Sequence, residues 1–298
     1  AWTNAILVCY SQLIHVCMSQ NALKLIIRMI QSCGDSYEVV RHVRNTALVF
    51  EKKPFVFPRD IHENDALILF SRKDVLSAAA ELEQIGWHPS VIYGALPYNA
   101  RKEEMRRFRD HETDIVVATD AIGMGINMPI ERVVFLKSAK FDGKGLRPLN
   151  ISEVKQIAGR AGRMGIFDTG YVNAAVDRGR IRELLYAPYD SLTYAGIQIP
   201  KMLFSLPMKL SEIMKEWHDL SDVSIYRKVS NDHRLSMCQW LEENYPSFSK
   251  EVMWNFLCVA YDESNDMLRT TWMRLIDCIA TDTPLWDHIE WKNIESME

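Results

Sequence analysis

Residues 66–93 read ALILFSRKDVLSAAAELEQIGWHPSVIY, and this stretch holds a complete strand–helix–strand unit. Ala66–Phe70 and Ser90–Tyr93 are short, uninterrupted apolar runs, as expected for buried strands. Asp74–Gly86 between them repeats its apolar residues at helical spacing. One side of this helix carries Val75, Ala79, Leu82 and Ile85. A strand, a helix and a second strand in this order predict two parallel strands joined by a crossover helix.

The same alternation continues on both sides of this unit. Downstream, the patterns predict a helix at Asn99–Asp110, a strand at Asp114–Ala118, a glycine-rich loop at 121–129, a strand at Arg132–Leu136, a helix at Ile151–Ala161 and a strand at Gly170–Ala175. Upstream, they predict a short strand at 13–17, a helix at 20–31 and a half-buried strand at Tyr37–Arg44. We therefore expect an α/β domain whose parallel sheet is covered on both faces and binds ligands at the carboxyl ends of its strands.

After about residue 178 the strand patterns stop and helical patterns follow. They cover roughly 178–187, 208–219, 232–245, 249–261 and 265–280. Six of the eight tryptophans lie in this part, at positions 217, 240, 254, 272, 286 and 291. The simplest interpretation is a smaller, all-helical domain with tryptophans in its core. A protein-interaction surface is the alternative, because tryptophan is enriched at interface cores.

Composition and charge are those of a globular protein with an uneven charge distribution. Of the 298 residues, 48% are apolar and 25% are charged. No apolar run approaches the roughly 18 residues that suggest a membrane-spanning helix, so we expect no membrane partner. The net charge of −4 combines +5 over residues 1–210 with −9 over residues 211–298. A basic body permits a nucleic-acid partner, whereas the acidic tail would be a poor site for a polyanion.

The cysteines give a weaker indication, which concerns the redox state of the compartment. Six cysteines stand singly at positions 9, 17, 33, 238, 258 and 278, with no Cys-x-x-Cys pair. They predict buried thiols in a reducing, intracellular compartment and no metal site.

The chain opens Ala-Trp-Thr-Asn without a methionine, which looks like a cut fragment or a processed product. A targeting peptide cannot be judged from such a start.

The most informative segment for the chemistry of the protein is residues 156–163, Gln-Ile-Ala-Gly-Arg-Ala-Gly-Arg. Asn150 and Glu153 have the spacing of a capping box, which predicts that a helix begins there. Such a helix places one glutamine and two arginines on a single stripe: Gln156, Arg160 and Arg163. The two intervening glycines remove bulk so that a polyanion can come close. A guanidinium stays charged and offers a planar fork of donors, which suits a triphosphate. The alternative is a surface helix with two solvated arginines.

Three further segments place polar residues or glycines directly after predicted strands. Leu67–Ser71 ends on a hydroxyl, and Val91–Pro97 contains a glycine before a helix rich in arginine. Val117–Pro129 reads VATDAIGMGINMP. Each segment alone is also compatible with an ordinary turn or strand end. The arginines of 101–109 are likewise compatible with a solvated helix face. Four such segments on one predicted sheet edge favour a common site.

Together these segments resemble the second RecA-like domain of superfamily-two DExH helicases. Phe70-Ser71 is similar to motif IV, Tyr93-Gly94 to the turn that follows it, Ala118–Asn127 to motif V and Gln156–Arg163 to motif VI. The opening Ala-Trp-Thr, the Ile-His-Val-Cys run and the Ile-Ala-Gly-Arg-Ala-Gly-Arg form resemble the Suv-type RNA helicases of the mitochondrial degradosome and their bacterial relatives. The resemblance covers about residues 1–180 and is faint beyond them.

The resemblance implies a role for each matching residue. Arg160 and Arg163 would be arginine fingers that reach the γ-phosphate, with Gln156 near the attacking water or the γ-phosphate. Gly125 and Asn127 would line the ribose side of the nucleotide. The nucleic-acid track would be lined by Ser71, Arg72, Gly94, Thr119 and Asp120. Arg101, Arg106 and Arg107 would widen the basic surface, although the family motif does not specify them. The resemblance also implies ATP and Mg²⁺ as cofactors, single-stranded RNA as a partner with DNA left open, an exoribonuclease partner, and a location in the cytoplasm or the mitochondrial matrix.

A helicase of this kind also needs a P-loop and an acidic pair that holds Mg²⁺. The sequence has neither in a usable place: Gly143-Lys144-Gly145 lacks the upstream glycine spacing, and Asp262-Glu263-Ser264 comes after motif VI. The resemblance therefore implies a remnant of the first RecA-like domain at 1–17, the second RecA-like domain at 18–180 and a helical C-terminal domain at 181–298. We expect ATP and Mg²⁺ to be held mainly by the first domain, and this chain alone to hydrolyse ATP no faster than background.

A second class of function remains open, a non-catalytic module with a RecA-like fold that binds nucleic acid or protein. The coding sequence upstream of Ala1 distinguishes the two. A P-loop and an acidic motif there favour the motor, and a native start near Ala1 favours the module.

Overall fold

The computed structural model describes residues 2–123, 127–142, 145–163, 165–231, 234–259, 261 and 265–284. The chain forms two compact units. The sheet unit is Val40–Tyr189, and the helical unit combines Ala1–Val39 with Asp190–Glu298. Within the described ranges, no helix is long and apolar enough to cross a membrane.

The chain begins in the helical unit with α1 (Trp2–Val8) and α2 (Leu23–Ser32). Leu25, Ile26 and Met29 of α2 are buried in one cluster with two residues from much later in the chain, Ala195 and Ile225. The structure therefore differs from the predicted domain boundary after residue 17, because the apolar face of α2 is covered within the helical unit. The predicted helix at 20–31 is confirmed.

The predicted strand at 13–17 is wrong, since these residues form neither strand nor helix. Leu13 is 70% exposed and Ile14 is 42% exposed. A strand needs a hydrogen-bonded neighbour, and an apolar run alone does not supply one.

Among its described residues, the sheet unit contains eight strands and four α-helices. In chain order its strands are β1 (Ala47–Phe50), β2 (Asp65–Ile68), β3 (Pro89–Ile92), β4 (Ile115–Ala118), β5 (Arg132–Phe135), β6 (Ala139–Phe141), β7 (Leu146–Pro148) and β8 (Thr169–Ala174). Its helices are α3 (Arg72–Gln84), α4 (Tyr98–Arg109), α5 (Ile151–Ala158) and α6 (Arg178–Tyr186).

Six of these strands form one parallel sheet in the order β1-β8-β5-β2-β4-β3. In the centre, Ala66 of β2 is opposite Val116 of β4 on one side and Val133 of β5 on the other. The remaining two strands, β6 and β7, form a separate antiparallel hairpin. The parallel sheet confirms the predicted α/β fold.

The first strand of this sheet is not the predicted one. Tyr37–Arg44 is exposed and forms no strand, whereas β1 begins at Ala47 and pairs with Thr169 of β8. The weak apolar alternation of residues 37–44 suggested a strand, but burial begins only at Thr46.

Successive strand residues point to opposite faces, and both faces are covered. One face packs on α5 and α6, and its buried residues include Ala66, Ile68, Val116, Phe135, Val154, Ile157 and Ile181. The other face packs on α3, and its buried residues include Leu67, Val117, Val134, Val75, Ala79 and Leu82. Each fully buried large aliphatic side chain contributes roughly 1.5–3 kcal/mol to the free energy of unfolding. This two-sided core holds the strand ends in fixed positions.

In the part of the helical unit after residue 189, the described residues include four α-helices and two very short strands. These are β9 (Ala195–Ile197), α7 (Leu210–Asp219), β10 (Tyr226–Lys228), α8 (Leu235–Asn244), α9 (Lys250–Leu257) and α10 (Asp266–Ala280). The strands β9 and β10 pair in parallel, so the unit is mainly helical and not all-helical. Strands of three residues are too short to be recognised from alternation.

The tryptophans of the helical unit belong to its core. Trp254 and Trp272 are buried in one cluster, and Trp217 and Trp240 pack against it. Trp286 and Trp291 lie outside the described residues. The core interpretation of the tryptophans therefore holds for the four that the structure describes.

All six cysteines are free thiols. Cys238 and Cys278 are buried as predicted, and burial together with the neighbouring Glu242 carboxylate raises the pKa of the Cys238 thiol to about 12. The prediction is wrong for the four exposed cysteines, which are Cys9, Cys17, Cys33 and Cys258.

Candidate functional site

The predicted nucleic-acid residues lie at the carboxyl edge of three adjacent strands. Ser71 follows β2, Thr119 and Asp120 follow β4, and Gly94 follows β3, in a sheet where the order is β2-β4-β3. Because parallel strands all end at the same edge, the sheet brings these residues to one side of the unit.

Ser71 and Arg72 begin helix α3. Ser71 is the N-cap residue, and its Oγ accepts a hydrogen bond from the Asp74 N–H at 3.0 Å. The capping bond uses Ser71 as an acceptor, so its hydroxyl can still donate one hydrogen bond. The Arg72 guanidinium lies over the Tyr93 ring, 5.4 Å from the ring centroid. This cation–π contact joins the end of β2 to the end of β3.

The turn at Gly94 is held by Arg101 from helix α4. Arg101 Nη2 donates to the carbonyls of Gly94 at 2.6 Å, Leu96 at 3.2 Å and Tyr93 at 3.3 Å. Arg101 therefore organises the turn beneath the predicted track through Nη2, while its buried Nε has no hydrogen-bond partner among the described residues.

The arginine-rich helix α4 is not a free basic surface. Arg106 forms ion pairs with the carboxylates of Glu103 at 2.7 Å, Asp110 at 3.1 Å and Glu112 at 2.6 Å. Arg107 pairs with Glu104 at 3.0 Å. The expectation that these arginines extend the basic surface is wrong for Arg106 and Arg107, because acidic neighbours one helical turn away compensate their charge.

Asp120 is neutralised by a lysine from the β6–β7 hairpin. Thr119 is buried, and its Oγ1 accepts from the Ala121 N–H at 3.3 Å. The Lys140 ammonium lies 2.6 Å from the Asp120 carboxylate and 3.2 Å from the Glu153 carboxylate. Lys140 thus joins the end of β4 to the first turn of α5, and it offsets an acidic charge that would otherwise repel a polyanion.

Helix α5 starts as predicted and ends earlier than predicted. The capping box between Asn150 and Glu153 is present. The helix ends at Ala158 and not at 161, because Gly162 adopts a φ of +74°, which a right-handed helix cannot contain. Arg160 and Arg163 therefore lie in the loop after the helix, and the predicted single helical stripe is wrong.

The loop nevertheless brings the predicted catalytic residues together. Gln156 Nε2 donates to the Gly123 carbonyl at 3.3 Å, and Arg160 Nη2 donates to the same oxygen. The carbonyl of Gly123, within the motif V segment, therefore connects the segment after β4 with motif VI. Gly125 lies outside the described residues.

A cavity of about 220 Å³ lies beside this loop. It is lined by Asn127, Met128, Ile130, Gly159, Arg160, Gly162 and Arg163. Burial lowers the pKa of the Arg160 guanidinium, which remains charged at neutral pH. In the described part of the chain, no carboxylate forms an ion pair with Arg163. A cavity with two guanidinium groups and one amide is suited to an oxyanion such as a phosphate.

Three residues of this site were missed by the sequence analysis. The Gly123 carbonyl contacts Arg160, Lys140 contacts Asp120, and Arg44 contacts backbone carbonyls on either side of Arg160. Lys140 and Arg44 belong to no motif that the sequence pattern indicated, whereas Gly123 lies within the motif V segment but had no predicted role. Their contacts depend on how distant segments pack, and the linear pattern carried no signal for them.

Comparison with known proteins defines the class of protein that carries this site. Residues 53–165 match the helicase conserved C-terminal domain. Residues 1–42 match the DEXQ-box helicase domain of Suv3. The sheet unit therefore has the predicted RecA-like fold, and most of it is similar to the C-terminal domain of superfamily-two helicases.

Individual relatives identify the type of helicase. A mitochondrial ATP-dependent RNA helicase, SUV3L of Oryza sativa subsp. japonica, is 35% identical over 204 residues, which are 66% of this chain and 28% of that protein. The mitochondrial SUV3 of Candida albicans is 40% identical over 54% of this chain and 22% of its own length. The mitochondrial DExH16 of Arabidopsis thaliana is 40% identical over 66% of this chain and 36% of its own length.

These matches confirm the resemblance to Suv-type superfamily-two helicases. The chain spans only between about a fifth and somewhat over a third of the length of these three relatives.

Proposed function

We propose that this chain is the C-terminal part of an ATP-dependent RNA helicase. The observation that carries the proposal is the cavity where Arg160 and Arg163 lie beside Asn127, in a domain that matches the helicase C-terminal family. In this proposal the chain supplies arginine fingers and part of the nucleic-acid track. It does not complete an ATPase by itself.

The donor set of the cavity fits the phosphates of ATP. Arg160 and Arg163 offer planar forks of N–H donors, and arginine keeps its proton in a partly buried site. Bound ATP supplies a γ-phosphoryl group whose transfer to water drives the motor. Donors placed at that group stabilise the charge of the transition state. We assign Gln156 to the attacking water or γ-phosphate, and Gly125 and Asn127 to the ribose side of the nucleotide.

We assign Mg²⁺ mainly to a first RecA-like domain, together with the P-loop and the acidic motif. The described residues of this chain contain no group of three or more His, Cys, Asp or Glu side chains arranged to hold a metal ion. The proposed division of labour is thus that a neighbouring domain holds the nucleotide and this chain completes the site from the other side.

The nucleic-acid track is assigned to Ser71, Arg72, Gly94, Thr119 and Asp120. Hydroxyls, backbone N–H groups and one arginine contact phosphates without distinguishing bases. Binding to such a track depends little on sequence and strongly on salt. The pairing of Asp120 with Lys140 supports the assignment, because it removes an uncompensated negative charge from the edge.

The names of the relatives support RNA as the substrate and mitochondria as the location. DNA is the alternative ligand, because phosphate contacts do not test for the 2′-hydroxyl. We also propose an exoribonuclease as a partner, on the family resemblance alone, and a location in the mitochondrial matrix.

The proposal is tested with the full-length protein. We expect ATP hydrolysis that RNA stimulates, displacement of a paired RNA strand, and tighter filter binding of RNA than of DNA oligomers of equal length. The affinity should fall linearly on a logarithmic scale as salt rises, whereas exchanging the base sequence at fixed length should change it little.

A different outcome favours the non-catalytic module. If the full-length protein bound RNA with the same salt dependence but hydrolysed no ATP with or without RNA, the motor proposal would be wrong and the binding module would remain. The coding sequence upstream of Ala1 gives an independent check, since the motor requires a P-loop and an acidic motif there.

A further inference from the structure

Arg44 lies far from the motifs in sequence, yet its guanidinium binds the loop that carries both site arginines. Arg44 Nε donates to the Thr46 carbonyl at 2.8 Å, and Nη1 donates to the Gly159 carbonyl at 2.8 Å. Arg44 Nη2 donates to the carbonyls of Ala161 and, at 3.4 Å, Gly162. One side chain therefore binds three carbonyls of a single four-residue loop.

These carbonyls need a donor because they follow the end of a helix. They lie after Ala158, the last residue of α5, and no backbone N–H of the described residues donates to the carbonyl of Gly159, Ala161 or Gly162. A guanidinium satisfies several of them at once with a fixed planar geometry, which an ammonium cannot do. Partial desolvation of its guanidinium lowers the pKa of Arg44, and carbonyl oxygens are its only described partners.

The bound carbonyls flank the two site arginines. Gly159 and Ala161 are the residues on either side of Arg160, and Gly162 directly precedes Arg163. Ala161 is buried and the Gly162 N–H donates to the Ile130 carbonyl at 2.8 Å, so the core holds one side of this loop and the Arg44 guanidinium binds its carbonyls. The Arg44 fork therefore fixes peptide groups from which the Arg160 and Arg163 side chains project into the cavity.

We propose that Arg44 is a positioning residue for the arginine fingers. Arg44 does not line the cavity, so it acts through the backbone of 159–162 and not by contact with the nucleotide. This inference rests on the proposed function, since it concerns how accurately Arg160 and Arg163 reach a γ-phosphate. Misplacement of a catalytic group by about 1 Å costs roughly 10²-fold in rate.

The test is RNA-stimulated ATP hydrolysis by the full-length protein with Arg44→Ala, Arg44→Lys and a matched control. Arg41→Ala is the control, because Arg41 is an exposed arginine in the same extended segment. We expect kcat of Arg44→Ala to fall roughly 10²-fold, with the KM for ATP and the Kd for RNA changed less than about threefold. Arg41→Ala should keep the kcat of the unsubstituted protein.

Two further measurements separate positioning from a general loss of fold. Guanidinium chloride at low millimolar concentration should restore part of the rate of Arg44→Ala, while the same concentration of sodium chloride should not. Arg44→Lys should retain the thermal unfolding midpoint and still lose kcat, because one ammonium cannot bind three carbonyls in the same geometry.

The outcomes distinguish this inference from the proposed function. An unsubstituted protein without RNA-stimulated ATPase would contradict the proposed function itself. An active protein in which Arg163→Ala loses kcat but both Arg44 variants keep it would overturn the positioning role alone. Equal losses of kcat and RNA affinity in Arg44→Lys, without rescue of Arg44→Ala by guanidinium, would also overturn it.

Discussion

At the scale of single residues, the loop that carries the site arginines depends on two glycines in contact. Gly162 has a φ of +74°, and its N–H donates to the Ile130 carbonyl at 2.8 Å. A Cβ on Gly162 would lie 2.6 Å from the backbone nitrogen of Gly170, and one on Gly170 would lie 2.4 Å from the Ala161 carbonyl oxygen. These are backbone atoms that cannot move aside, so the loop packs directly on β8 only because both positions lack a side chain.

This contact gives a prediction for Gly162→Ala. We expect the free energy of unfolding to fall by about 2–4 kcal/mol, since the left-handed conformation costs an alanine about 1–2 kcal/mol and the backbone clash adds a similar amount. Urea unfolding of the 298-residue chain measures the change.

Gly165→Ala is the matched control for Gly162→Ala. Gly165 has a φ of +83°, but a Cβ there would meet nothing within 4 Å. We expect a loss of about 1–2 kcal/mol from the conformation alone. Equal losses in the two variants would show that the packing on β8 contributes nothing.

At the scale of single elements, hydrogen bonds and ion pairs at the first turn of helix α5 stabilise the start of this helix. The Asn150 side chain accepts from the Glu153 N–H at 3.0 Å, and the Glu153 carboxylate accepts from the Asn150 N–H at 2.9 Å. Arg147 and Lys140 also bind the Glu153 carboxylate, at 2.7 Å and 3.2 Å. Burial opposes ionisation of Glu153, but the hydrogen bonds from Arg147, Asn150 and Lys140 outweigh it and lower the pKa of Glu153 to about 2.

The lowered pKa of Glu153 predicts a pH dependence of stability. In the unfolded chain this carboxyl titrates near 4.5, so the folded state is favoured while the carboxylate is ionised. Its contribution is fully present above about pH 4.5 and is lost as the pH falls towards about 2. We expect urea midpoints to drop less steeply across this window in Glu153→Gln than in the unsubstituted chain.

The control for this prediction is Glu81→Gln, an exposed position on α3. It should leave the slope of stability against pH as it is. Parallel slopes for Glu153→Gln and the unsubstituted chain would mean that Glu153 has an ordinary pKa in the folded protein.

The elements also show what a sequence can and cannot predict. The strands β2 to β5 and helices α3 to α5 were recognised because a parallel sheet buried on both faces produces continuous apolar runs between amphipathic helices. The hairpin β6–β7 was missed, since its strands have three residues each and Phe141 and Leu146 are 58% and 76% exposed. The segment 13–17, wrongly predicted as a strand, has the apolar composition of a strand but no neighbouring strand to pair with.

At the scale of the whole molecule, the position of the candidate site could be predicted to the extent that it follows from the topology of the parallel sheet. Ser71, Gly94 and Thr119 each end a segment that the sequence marks as a strand, and a parallel sheet must bring such ends to one edge. Arg44 was not predictable, because its bond to Gly159 joins residues 115 positions apart. The basic surface on α4 was overestimated, since net charge along a segment does not reveal which arginines have acidic neighbours.

The division into a sheet unit and a helical unit matches the uneven charge of the chain only in part. The acidic residues of 211–298 belong to the helical unit, which also contains the N-terminal helices. The arginine cavity and the candidate track both lie in the sheet unit. We therefore place the polyanion-binding function in the sheet unit and expect the helical unit to contribute little to phosphate contacts.

The central claim is that Arg163 acts on a nucleotide and not on the RNA or the fold. The most direct test compares full-length protein with Arg163→Ala for RNA-stimulated ATP hydrolysis and for RNA binding. We expect kcat to fall by roughly 10³-fold or more, as for arginine fingers elsewhere, while the Kd for RNA stays the same. Equal losses of rate and RNA affinity would assign Arg163 to the nucleic acid, and an unchanged kcat would contradict the account altogether.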